Sequence, residues 1–307
     1  MNKILIGLAA AAVLGLAVFW FVTSPSTISS SALAADYKPN LANGETMFNI
    51  GGCAACHQTT GQKERTHLGG GLGLTTAFGT FYAPNISSDK THGIGDWSEL
   101  QFVNAVMRGV GHNGEHLYPA LPYTSYQRMA INDVRDLHAY MMTLPADAAE
   151  SKAAEVKFPF SIRRLLGGWK FLFMDNKPFV ADASKDAVWN RGAYLVNGPG
   201  HCAECHSPRN GLGGIKEDGR FTGGPDAEGK GWVPNITPHA DGIKDWDKAG
   251  IEEALKSGLT PSFDSLGGSM AEVVQNTGRL SDGDREAIAT YLLSLTPKPG
   301  KAPEKKS

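Results

Sequence analysis

The sequence predicts a helical chain made of two tandem units of one design, preceded by an apolar N-terminal helix. Three observations predict it. The run Cys53-Ala54-Ala55-Cys56-His57 returns 149 residues later as Cys202-Ala203-Glu204-Cys205-His206, and the two runs use all 4 cysteines of the chain. The same offset sets Gly93-Ile94-Gly95-Asp96-Trp97 on Gly242-Ile243-Lys244-Asp245-Trp246, so the repeat reaches well beyond the cysteines. After each tryptophan, apolar residues recur at helical spacing: Phe102, Ala105 and Val106 in one unit, Ile251, Ala254 and Leu255 in the other.

The chain begins with a targeting segment over residues 1–35. Lys3 precedes an uncharged run from Ile4 to Val22, followed by a Ser/Thr-rich stretch and a small-residue site at Ala32-Leu33-Ala34. The run is long for the apolar region of a signal peptide and just long enough to span a bilayer, and the cleavage site lies far beyond it. Both facts favour a retained anchor, with the soluble part on the periplasmic side of a bacterial inner membrane. A cleaved peptide and a soluble periplasmic protein form the alternative.

The first unit covers 36–147 and the second 184–297. Ser98 and Asp247 are good N-caps for the repeated helix, and Gly109 and Gly258 close it. A last helix ends each unit, Asn132 to Leu144 and Asp282 to Leu295, the second opened by a capping-box pattern at Ser281 and Asp284. Pro145 stops the first unit. The connection over 148–183 holds Phe158, Phe160, Trp169, Phe171, Phe173 and Phe179, too apolar for a free linker, so it packs between the units or against a partner. The tail over 298–307, rich in Pro and Lys, reads as disordered.

Composition narrows the function. A formal net charge of −2 gives no general basic surface, which argues against nucleic acid as a partner. Many of the 37 glycines follow the two cysteine runs, which suggests extended loops wrapped around a prosthetic group. A C-x-x-C-H run is the attachment site of c-type haem: two thiols one helical turn apart form thioethers and the adjoining His ligates iron. Zinc binding and disulfides are the alternatives. A zinc ribbon separates its pairs by about 15–20 residues, far less than here, and neither a redox pair nor a disulfide requires the His that follows both times. The reading is two covalently bound haem c groups.

Further motifs carry a family resemblance: Pro84-Asn85-Ile86 and Pro234-Asn235-Ile236, Leu117-Tyr118-Pro119-Ala120-Leu121-Pro122-Tyr123, the run Trp189 to Val196, and Cys205-His206-Ser207-Pro208-Arg209-Asn210. In combination they resemble the di-haem and multi-haem cytochromes c that serve membrane-bound bacterial alcohol, aldehyde and gluconate dehydrogenases. The resemblance runs from about residue 40 to 296. It implies an all-α fold of two tandem class I cytochrome c domains after an N-terminal hydrophobic helix. It implies electron transfer without catalysis, from a dehydrogenase subunit toward a terminal oxidase or a small cytochrome. Relatives often add a third haem domain, for which this chain has no motif.

The resemblance also suggests site residues. Pro84 and Pro234 match the proline whose carbonyl accepts the Nδ1 hydrogen of the iron-binding His, Arg209 is placed to pair with a haem propionate, and Trp97 and Trp246 either line a haem edge or pack as core. His57 and His206 then need sixth ligands, which decide between a closed electron carrier and an open haem. Met270, in Gly267-Gly268-Ser269-Met270, resembles the ligand loop of the family. Its counterpart 65 residues after Cys56 is Leu121, which cannot ligate iron. Candidates for that iron are Met107, Met129, Met141 and Met142, with His112 and His116 as outsiders; relatives that lack a Met in the Tyr-Pro-Ala-x-Pro-Tyr motif resemble this chain in carrying one at the Met129 site. The competing function is a di-haem enzyme, a peroxidase or a thiosulfate-oxidising cytochrome, with an open haem in the first unit. A haem-bearing sensor would need a signalling domain.

Overall fold

The computed structural model describes residues 2–229, 231–300 and 302. Helix α1 (Asn2–Val22) stands apart, its apolar side chains exposed along its length. The first unit holds α2 (Leu41–Ile50), α3 (Cys53–His57), α4 (Glu99–Arg108), α5 (Tyr123–Tyr126) and α6 (Ile131–Met141). A connecting helix α7 (Leu165–Phe173) leads to the second unit: α8 (Ala187–Asn197), α9 (Lys248–Ser257), α10 (Ser269–Thr277) and α11 (Asp282–Leu293).

The helix starts follow from their caps. Asn40 accepts from the amides of Ala42 and Asn43 at the head of α2, and Asp186 from Trp189 at the head of α8. Ser98 and Gln101 form a full capping box on α4, while Asp247 and Ser281 cap α9 and α11 with their side chains. Gly109 and Gly258, at φ of 59° and 83°, end α4 and α9 in the left-handed region that favours glycine. The repeat is thus visible down to individual hydrogen bonds.

In each unit the first and last helices cross in close contact, α2 on α6 and α8 on α11. The approach is possible because each crossing has a glycine. A Cβ on Gly44 would lie 2.2 Å from the Asp136 carbonyl oxygen, and one on Gly192 would lie 1.9 Å from that of Ala287. Around these crossings Met47, Val103, Met141, Leu195 and Ala289 are fully buried, each large side chain contributing about 1.5–3 kcal/mol.

Two parts differ from the sequence expectation. The glycine-rich stretches after the cysteine runs are not purely irregular: β1 (Gly73–Thr76) and β2 (Gly79–Tyr82) form an antiparallel hairpin joined by β3 (Glu155–Val156), and β4 (Gly224–Pro225) pairs with β5 (Trp232–Val233). The tail expected to be disordered from 298 is held at its start. The Lys298 carbonyl accepts from Asn235 Nδ2 at 2.7 Å and Thr237 Oγ1 at 3.1 Å, and Gly300 N donates to Asp241 at 3.2 Å. Lys301 and residues 303–307 lie outside the described residues.

The connection bridges the two units. Trp169 donates to the Leu212 carbonyl at 2.9 Å and meets the Tyr123 ring edge-on, and Phe179 packs against Tyr194. A second clamp is Arg65, whose guanidinium reaches from the first unit to Glu272, Gln275 and Asn276 on α10.

Because the crossings leave no room for a methyl group, Gly44→Ala and Gly192→Ala are each expected to lower stability by about 1–3 kcal/mol or more. Denaturant midpoints of the holoprotein check this, with Gly211→Ala, in open space, as the control that stays unchanged.

Candidate haem sites

Each cysteine run is entered through a left-handed residue at the same place in the repeat. Gly52 has φ 63° and ψ 25°, and His201 has φ 39° and ψ 32°. This turn takes the chain from the end of the preceding helix into the cysteine run. The first run forms α3; the second forms a 3₁₀ turn over Cys202–Glu204, closed by the His206 amide on the Cys202 carbonyl at 3.0 Å.

All four thiols are free, which removes the disulfide reading. Burial pushes the Cys53 and Cys202 thiols up to about 12. Among the described residues no cluster of three His, Cys, Asp or Glu side chains could form a metal cage, which argues against zinc.

The histidines are prepared as ligands. His57 Nδ1 donates to the Pro84 carbonyl at 2.8 Å, and His206 Nδ1 to that of Pro234 at 2.8 Å. With the proton fixed on Nδ1, the lone pair lies on Nε2. Burial lowers both imidazole pKa values despite the opposite pull of the carbonyls, which keeps the rings neutral. Two thiols one turn apart beside a neutral imidazole with free Nε2 match the donor set of c-type haem.

The prolines are themselves held by the next residue, which sequence reasoning passed over. Asn85 Nδ2 donates to the carbonyls of Asp147 at 2.6 Å and Ala149 at 2.8 Å, and its Oδ1 accepts from Ser87 N. Asn235 does the same with Lys298 and Thr237. Both asparagines are buried. They tie each proline loop to the chain leaving the last helix, and their place in the repeated Pro-Asn-Ile was the available signal.

The sixth-ligand candidates are sorted by their surroundings. Met270 is half-buried in the first turn of α10. Met129 is fully buried one turn after Tyr126, whose hydroxyl donates to the Gly51 carbonyl beside the first cysteine run at 2.8 Å. Met107 and Met141 are buried within α4 and α6, Met142 is half-buried, and Leu121 packs against the core. His116 is committed elsewhere, its Nε2 donating to the Thr23 carbonyl at the end of α1 at 2.9 Å. His112 is exposed and stacks on Trp97 at 4.9 Å. Trp97 and Trp246 are half-buried against the core.

Arg209 is engaged by groups of its own unit. Its guanidinium donates to the Glu204 carboxylate at 2.7 Å and to the carbonyls of Glu204 at 2.6 Å and Gly213 at 2.6 Å. The Glu204 carboxylate is itself largely enclosed, with its side chain 11% exposed. Glu204 also accepts from Thr124 Oγ1 at 2.5 Å and Ser125 Oγ at 2.8 Å across the unit boundary. Burial alone would raise its pKa; Arg209 and the two hydroxyls overcome this and hold the carboxyl below the usual range. Beside it, the His201 ring lies 3.3 Å from the Gly51 carbonyl and edge-on to Tyr126. The two cysteine runs therefore abut.

A helical fold of two units, each built round a C-x-x-C-H seat with a carbonyl-tethered histidine, defines a tandem c-type cytochrome. The chain belongs to the cytochrome c family, whose model matches residues 41–145 and 190–296, and it carries two covalently bound haem c groups for electron transfer. It is 44% identical over 289 residues to a diheme cytochrome c-type protein of Cereibacter sphaeroides, covering 93% of this chain and 95% of that one. It is 38% identical over 271 residues to the fructose dehydrogenase cytochrome subunit of Gluconobacter japonicus, covering 86% of this chain and 54% of that one. To the gluconate 2-dehydrogenase cytochrome c subunit of Pantoea cypripedii it is 37% identical over 280 residues, covering 88% and 63%. The chain thus spans little more than half the length of these two dehydrogenase subunits.

Glu204 yields a test. A carboxyl held below its ordinary range stabilises the fold above the unfolded pKa, and this is lost as pH falls through the folded value. Glu204→Gln is expected to cost about 1–2 kcal/mol at neutral pH, since Arg209 is partly solvent-screened. The deficit should shrink on acidification to about pH 3. Denaturation midpoints of wild type and variant across that range measure it.

Proposed function

We propose that the chain takes electrons one at a time from a dehydrogenase subunit and passes them toward a terminal oxidase or a small cytochrome, on the periplasmic side of a bacterial inner membrane. The single observation that carries this is the abutment of the two C-x-x-C-H seats, with the His201 ring 3.3 Å from the Gly51 carbonyl. Adjacent seats suit a relay. The cytochrome subunits of fructose and gluconate dehydrogenases, similar along most of this chain, support a dehydrogenase as donor.

Haem iron supplies reversible one-electron chemistry when bound, with the potential set by its axial ligands and burial. In this reading His57 Nε2 and Met129 Sδ hold one iron, and His206 Nε2 and Met270 Sδ hold the other. Pro84 and Pro234 fix the imidazoles and raise their basicity. Four protein ligands leave no open position, so the chain is a carrier and not an enzyme. The 20-residue span Lys3–Val22 of α1, uncharged after Lys3, supports an anchor.

Carbon monoxide separates the carrier from an open-haem enzyme. The fully reduced protein is expected to keep its spectrum unchanged under carbon monoxide; a shift of one Soret band would overturn the reading. The ligand assignment is tested separately. Met129→Ala is expected to remove about half of the far-red sulfur-to-iron absorbance, and Met270→Ala the other half. A band undiminished in Met129→Ala would return the first sixth ligand to Met107 or Met141.

A further inference from the structure

Helix α7 is apolar on every side except for Lys170, which is turned inward, its Nζ donating to the carbonyls of Arg108 at 2.8 Å and Gly109 at 2.6 Å. A helix hydrophobic all round is expected to be buried. Three of its sides are: Lys170 lies on the first unit, Trp169 on the second through Leu212, and Gly167 against the end of α1, where a Cβ would lie 2.3 Å from the Thr23 carbonyl. The fourth is bare. Phe171 is 69% exposed and Leu172 63%, and Leu165, Ile162 and Phe158 extend the exposed apolar strip.

Its place in the fold says what covers it. By helical spacing Phe171 lies one turn beyond Gly167, so the bare side borders the one that meets α1. The junction is built like a membrane boundary. Arg164 sits 3.9 Å over the Trp20 ring and bonds the Trp20 carbonyl, Thr23 Oγ1 and Ser24 Oγ, so a basic group and an indole share the last turn of an apolar helix about 30 Å long. Arg163, bonded to the His116 carbonyl at 2.9 Å, adds a second cation at the same level. Arginines that bury their stems along apolar surface and keep their heads at the polar boundary suit a lipid headgroup layer.

We propose that residues 158–172 form a second membrane contact, with the outer face of α7 seated among acyl chains at the headgroup boundary of the leaflet from which α1 emerges. It rests on the reading of α1 as a retained anchor. Its consequence is orientation: a single α1 would let the two units swivel on a tether, whereas α7, clamped to both, fixes their tilt against the bilayer.

The test uses the full-length holoprotein in vesicles of phosphatidylcholine doped with a phosphatidylcholine bearing a diazirine in its acyl chain. After photolysis, lipid adducts are expected on peptides of α1 and on 171–177, the latter at least about tenfold above the peptide carrying Phe263, an exposed aromatic of the second unit. The double variant Phe171→Asp, Leu172→Asp, both exposed, should lose the 171–177 adducts while keeping those on α1 and the haem spectrum. Adducts on α1 with none on 171–177 in the wild type overturn the proposal and leave this face to a protein partner. Adducts on neither overturn the anchor reading, and the proposal with it.

Discussion

The hydrogen bond from the histidine of each C-x-x-C-H run to a proline carbonyl, His57 to Pro84 and His206 to Pro234, is the interaction the rest of the structure serves. A bond of this kind works only if the carbonyl cannot drift. The proline has no amide to anchor it, so the following asparagine is buried and tied to the chain that leaves the last helix. That chain is positioned in turn by the helix crossing, which needs a glycine at its closest point. Helix crossing, asparagine tie, proline carbonyl and imidazole form one line of support, built twice. The crossing is thereby connected to the histidine's hydrogen bond through the chain that leaves the last helix.

The units differ where they touch. Within the attachment segments, the repeat pairs Gly52 with His201 and Ala55 with Glu204, and the second-unit residues at these positions make the contacts across the boundary. His201 holds a left-handed backbone that glycine adopts freely and a larger side chain does not, at a cost of about 1 kcal/mol or more. Its ring contacts with Gly51 and Tyr126 offset that cost. Glu204 is a buried carboxylate, tolerable only because Arg209 and two hydroxyls surround it. The duplicated design was kept for the seats and altered for the joint between them.

Much of this was legible in the sequence, and the rest was hidden for identifiable reasons. The caps at Ser98, Asp247 and Ser281 and the closing glycines are local, so a few adjacent residues announce them. The cysteine runs and the Pro-Asn-Ile repeat located the seats. The hairpin at Gly73–Tyr82 was missed because its Gly and Thr residues give no apolar alternation. The hold on Lys298 was missed because a backbone carbonyl leaves no mark in composition. The Arg209–Glu204 pair was not foreseen because a turn in three dimensions brings the two together, and Glu204 itself was passed over because its other partners belong to the opposite unit.

The break in the repeat at Leu121 has a structural counterpart. In both units the loop after the repeated helix, α4 or α9, closes as a hairpin, bridged at Val110 and His116 in the first and at Leu259 and Ser265 in the second, positions that obey the same offset of 149. In the second unit this loop leads to Met270. In the first, His116 replaces the serine and bonds the Thr23 carbonyl at the end of α1, while Arg163 of the connection bonds the His116 carbonyl. The first unit's hairpin is thus committed to the end of α1, and Met129 lies outside it, buried at the foot of the last helix. The first unit departs from the repeat where it joins α1 and the connection.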